Sequence, residues 1–98
     1  MENKFQVEVT KHAQQRIKER MGIKSKAAER QFGLALTRGT GLKEMDVELA
    51  QWAVTMADVV KTDDKREVTL YNNHLFVYVS NGILKTLITV LNLPREVK

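Results

Sequence analysis

The sequence predicts an α+β domain, with a helical N-terminal half packed on a C-terminal antiparallel sheet of three or four strands. Three observations carry that prediction. Up to residue 60 apolar residues recur at spacings of three and four; beyond about residue 67 they become β-branched and aromatic and alternate with polar ones. Glycines and a pair of asparagines punctuate the changes of pattern. Helices followed by strands, with no alternation between them, imply a segregated layer of each.

The elements follow in order. Phe5-Gln6-Val7-Glu8-Val9 alternates apolar and polar residues and reads as a short strand, after which Thr10 offers a hydroxyl to cap a helix. That first helix runs from Lys11 to about Met21, where Gly22 ends it. Ser25 caps a second helix, in which Ala28, Phe32, Ala35 and Leu36 share a face until Gly39. Gly39-Thr40-Gly41 reads as a loop. Met45, Leu49, Trp52, Ala53, Met56 and Val60 then mark a third helix, whose central Trp52 is a core anchor by ordinary burial preference.

Residues 62–65 form a charged break, and the strands begin beyond it. Val68-Thr69-Leu70-Tyr71 and the run from His74 to Val79 flank Asn72-Asn73, and paired asparagines tolerate the positive φ that a tight hairpin turn demands. Ser80-Asn81-Gly82 turns the chain into a run from Ile83 to Leu91, the most continuously apolar in the sequence, closed by the single proline, Pro94. Helices two and three are expected to cover one sheet face, with helix one along the rim. Phe76 and Tyr78 point opposite to Leu75, Val77 and Val79, so both faces of the middle strand are apolar, which suggests a homo-oligomer.

Ninety-eight residues suffice for one domain, 1–98, and the hydrophobic share of 43% with a charged share of 29% is that of a globular chain. The formal net charge of +4 favours an anionic partner, while Lys18, Lys24, Lys26, Lys61 and Lys65 also suit a solvated face. No cysteine is present, which excludes disulfides, thiolate metal sites and cysteine nucleophiles. No apolar run is long enough to span a membrane and no export signal follows the charged start, so a cytoplasmic location and no membrane partner are expected. Asp63-Asp64 lacks the pattern of a calcium loop, and His74, without companion ligands, reads as a surface residue; no metal or other cofactor is predicted.

The stretch richest in chemistry is Thr10-Lys11-His12-Ala13-Gln14-Gln15-Arg16-Ile17-Lys18-Glu19-Arg20. Positions four apart share a helix face, so His12, Arg16 and Arg20 form a row that begins in the first turn, where free amides favour an anion. Arginine suits phosphate through its planar fork. The plain alternative is that Glu8, Glu19 or Glu29 pairs with these arginines and His12 only covers the sheet. A neutral imidazole in this row can also act as general base toward a ribose 2′-hydroxyl, with Lys85, Tyr78, Thr86 and Thr89 as the strand residues available to complete the chemistry. For a bound nucleotide, Lys85 and Thr89 extend the polar contacts, and Phe76 or Tyr78 can stack on a base.

Three blocks carry a resemblance: Thr10-Lys11-His12-Ala13-x-x-Arg16-x-x-Glu19-Arg20, Leu70-Tyr71-Asn72-x-x-Leu75-Phe76-Val77, and Leu87-Ile88-Thr89-Val90-Leu91-Asn92-Leu93-Pro94. Together they resemble a family of small uncharacterised phage and prophage proteins. The first and third are also distantly similar to the barnase, EndoU, colicin and RelE superfamily of metal-independent ribonucleases, whose toxins often pair a histidine-arginine helix with a Thr-x-Tyr strand. Here Leu91 stands where that aromatic hydroxyl would be. The resemblance implies a non-catalytic anti-defence protein of an infected or lysogenic bacterial host, capturing a nucleotide messenger or blocking a nucleic-acid-binding defence protein. The alternatives are a metal-independent ribonuclease with His12 as its base, and an interaction module whose basic residues have no special role.

Overall fold

The structure, a computed structural model, describes residues 6–59 and 66–93, and the side chains of all of these except 25, 26, 58 and 59. The expected strand position Phe5, the apolar position Val60, the charged break 62–65 and Pro94 lie outside the described residues. Within them the fold is α+β: three helices, mostly N-terminal, and a five-stranded mixed sheet.

The first strand, β1 (Gln6–Val9), leads into helix α1 (Lys11–Met21). Thr10 caps this helix as its spacing predicts, its hydroxyl accepting the Ala13 N–H at 3.1 Å, and Gly22 ends it in the left-handed conformation at φ 68°. Helix α2 (Ser25–Arg38) starts one residue earlier than expected: Ser25 is its first residue, and Lys24 holds the cap position without a side-chain bond. Gly39 then accepts no substituent, because a Cβ there would collide with Thr69 Cγ2 and the Ala35 carbonyl and approach the Leu70 carbonyl to 2.9 Å.

Gly39-Thr40-Gly41 is more than a loop. Thr40–Gly41 forms a two-residue strand, β2, antiparallel to the sheet, before a 3-10 turn over Leu42–Glu44 and helix α3 (Val47–Val59). Glu44 stops β2 by taking the Gly41 N–H at 3.1 Å, and Asp46 caps α3 by accepting the Leu49 N–H at 2.8 Å. The remaining strands are β3 (Arg66–Tyr71), β4 (His74–Asn81) and β5 (Leu84–Asn92). Asn72 and Asn73 both adopt positive φ, 55° and 63°, as the hairpin requires.

The sheet order is β1-β5-β4-β3-β2, and β1 runs parallel to β5 while every other pair is antiparallel. This corrects the expectation of a purely antiparallel sheet of three or four strands, since no local pattern announces that residues 6 and 84 pair. A bulge at Ile88 shifts the β4–β5 register, so that Val77 faces Thr89 while Tyr78 faces Leu87. Leu87 and Val90, three apart, thereby share one face.

Both faces are covered from within the chain. Ala13 and Ile17 of α1 and Ala28, Phe32 and Ala35 of α2 pack on Phe76, Tyr78, Leu87 and Val90; on the opposite face Ala53 and Ala57 of α3, with Trp52 and Met56 partly buried, pack on Val68, Leu75 and Val77. The expected placement of α2 with α3 is therefore corrected: α1 joins α2, and α3 stands alone. The two apolar faces of β4 find their partners in these helices, so they supply no argument for an oligomer. No described helix is long and apolar enough to cross a membrane.

Candidate functional site

Helix α1 sits where β1 runs out. β1 pairs with β5 only as far as Leu87, leaving the outer edge of β5 without a strand over its second half. Thr10 and Arg20 fill that gap: the Thr10 hydroxyl donates to the Ile88 carbonyl at 3.4 Å, and Arg20 Nη1 to the Val90 carbonyl at 2.6 Å. Buried or half-buried carbonyls need donors, and here side chains of a helix stand in for a neighbouring strand.

The predicted row is consequently split. Arg20 is half-buried and turned onto the sheet, so it does not join His12 and Arg16 at an anion site. Arg16 Nε donates to His12 Nε2 at 3.4 Å, and Arg16 Nη1 forms an ion pair with Glu19 at 2.8 Å. Gln15 donates to the other Glu19 oxygen at 2.9 Å. The Gln15 amide, followed by the Arg16 guanidinium, holds the Glu19 carboxyl below the usual carboxylate value, so Arg16 meets a carboxylate at neutral pH.

What remains is a convex, solvent-facing surface. Lys11, His12, Gln15, Lys18 and Glu19 are exposed and Arg16 is partly so; the first turn of α1 carries no acid, and Glu19 is the one acid in the helix. Adjacent cations above a helix N-terminus make a shallow field for anions. No wall encloses them.

The sheet residues expected to join this row lie elsewhere. Phe76 is fully buried in a parallel stack with Phe32 at 6.5 Å, and Tyr78 is 7% exposed and meets Phe32 edge-on at 5.4 Å, so neither presents a ring to a base. The Tyr78 hydroxyl bonds with Thr69 at 3.2 Å. Burial foremost, and also the neighbouring Glu67 charge, push the Tyr78 phenol above its ordinary value, against the opposing effect of the Thr69 bond. Thr89 is 3% exposed and, opposite Val77, belongs to the α3 face, across the sheet from α1. Lys85 donates to Ser80, and Thr86 donates to Glu8 at 3.4 Å. The ribonuclease set is not brought together.

Sequence reasoning missed His74. Its Nδ1 lies 2.7 Å from the Asn72 carbonyl and its Nε2 lies 3.2 Å from the Arg20 carbonyl, so it ties the β3–β4 turn to the C-terminal end of α1. Its position after Asn72-Asn73 was visible, but the approach of a helix 54 residues away was not. A cavity of about 790 Å³ opens at the other edge of the sheet, beside β3. Compared with known proteins, the chain matches no family model, and no curated protein or solved structure is significantly similar to it.

Proposed function

We propose that this protein binds phosphate-bearing ligands through the solvent face of α1, with His12 and Arg16 as direct contacts, and that it does so without catalysis. The observation that carries this reading is the cationic surface of Lys11, His12, Arg16 and Lys18 around the first turns of a helix whose one acid, Glu19, fixes the pose of the Arg16 guanidinium. A convex surface of this kind suits an extended run of phosphates better than an enclosed mononucleotide, since successive phosphates can meet successive side chains. A nucleic-acid backbone is therefore the favoured ligand. The formal charge of +4 supports attraction at distance.

The resemblance to phage and prophage proteins supports an anti-defence role, in which the protein covers nucleic acid or a nucleotide messenger that a host effector needs. Ribonuclease chemistry lacks comparable support: a general acid and a phosphorane-stabilising group must stand beside the base. The candidates Tyr78 and Thr89 are buried in the core instead.

Fluorescence anisotropy with a labelled single-stranded RNA tests the proposal across a salt series. Arg16→Ala should weaken binding several-fold and flatten the slope of log affinity against log salt by about 0.7, the value for one lost phosphate contact on a single strand. RNA recovered afterwards should be intact. Binding that ignores salt and this substitution would sink the reading.

A further inference from the structure

The cavity beside β3 has an unusual lining. Arg66, Glu67, Val68 and Thr69 are consecutive residues of one strand, and all four border it. Successive side chains of a strand point to opposite faces, so a space that touches all four lies off the strand's edge and reaches its backbone. The reason for the space is the early end of β2, which pairs only with Leu70 and Thr69 before Glu44 draws the chain into its 3-10 turn. Among the described residues no strand lies outside Arg66–Val68. The space is the size and shape of a missing length of strand.

We propose that this edge is a strand-addition site for an extended peptide segment of another protein, one that carries an apolar residue beside Val68 and a basic residue beside Glu67. The backbone edge supplies sequence-independent hydrogen bonds, and the side chains on either face supply selectivity. On the α3 face, Val54, Ala57 and Leu42 border the cavity next to Val68, and Val54 and Leu42 are exposed at 45% and 39%. They form an apolar seat for one side chain. On the other face Glu67 is exposed, and a cross-strand basic residue opposite it is favoured where an acidic one is not.

Glu67 also argues against a second copy of this chain as the occupant. Two β3 edges pairing antiparallel about Glu67 would set the two Glu67 carboxylates directly opposite one another, which is unfavourable. The site lies at the far edge of the sheet from β1 and α1's strand partner β5, so it is independent of the proposed phosphate surface.

The test uses the full chain and a fluorescein-labelled peptide, acetyl-Thr-Val-Arg-Val-Thr-amide. Two further versions carry N-methyl groups, one on the Arg amide and one on both Val amides. Only alternate amides of an added strand face the sheet, so one methylated version should bind at least about ten-fold more weakly while the other retains affinity. Glu67→Lys should weaken the Arg peptide and strengthen its Glu counterpart, each by about five-fold, in keeping with cross-strand charge pairs. Backbone amides within Arg66–Val68 should gain protection from hydrogen exchange. Absence of binding, equal affinity of all three versions, indifference to Glu67→Lys, or a self-associated dimer that occupies this edge in sedimentation would each overturn the proposal.

Discussion

Arg16 and Arg20 are four residues apart on one helix and have opposite fates. Arg16 remains at the surface between His12 and Glu19, whereas Arg20 reaches the Val90 carbonyl and is spent on structure. Removing the acid that restrains Arg16 should release it toward phosphate, so Glu19→Ala is expected to raise RNA affinity about two- to five-fold, the range of an exposed ion pair. Anisotropy beside wild type checks this, and an unchanged or weaker affinity would contradict it. Tyr78 gives a pH prediction. Its phenol is raised above the ordinary value of 10.0, so the folded state favours the protonated form. The corresponding stability is fully present below pH 10 and is lost as pH rises through the folded value. Tyr78→Phe should cost about 1 kcal/mol at neutral pH through the lost Thr69 bond. It should also lessen the alkaline fall in stability, read from urea midpoints on either side of pH 10.

At the scale of elements, helix α1 both closes the edge of β5 and offers the basic surface. These roles separate by substitution. Arg20→Ala should lower stability by about 1.5–3 kcal/mol, because a charged donor to a half-buried carbonyl is lost. At about 4–8 °C per kcal/mol for a domain of this size, the melting temperature should fall by roughly 10 °C, while RNA affinity of the folded protein changes less than with Arg16→Ala. A mutant with wild-type melting would refute the edge-closing role. The junction of α2 and β2 depends on Gly39 for space, not for an unusual φ, which is −76°. Gly39→Ala should therefore destabilise by about 1–3 kcal/mol or more through overpacking against Ala35, Thr69 and Leu70, measurable by denaturant unfolding.

For the whole molecule, one sheet joins two cores, and β4 contributes to both: Phe76 and Tyr78 to one, Leu75 and Val77 to the other. Damage to either core is then transmitted to the sheet that both share. Phe32→Ala, which empties the centre of the α1/α2 core, should cost about 3–5 kcal/mol. That is a large part of the roughly 5–15 kcal/mol available to a domain. Loss of both near-UV and far-UV signals in a single transition is expected; a separate, stable α3 half would show the cores to be independent. The same arrangement separates the two proposed surfaces, with phosphate at the α1 side and a peptide at the β3 edge.

Local chemistry was legible in the sequence: the Thr10 cap, the Gly22 stop, the Asn72-Asn73 turn and the apolar stripes of α1, α2 and α3 each depend on neighbours within a few residues. The α+β class followed from those signals alone. Pairing of β1 with β5, the choice of face for each helix and the bulge at Ile88 depend on contacts between residues up to 78 positions apart, for which one sequence carries no local mark. The candidate site divided along the same line. Helical spacing put His12, Arg16 and Arg20 in a row, but only the tertiary structure decided that Arg20 would meet an unpaired carbonyl and that Phe76, Tyr78 and Thr89 would be buried, because satisfying backbone polar groups and filling the core are demands of the assembled chain.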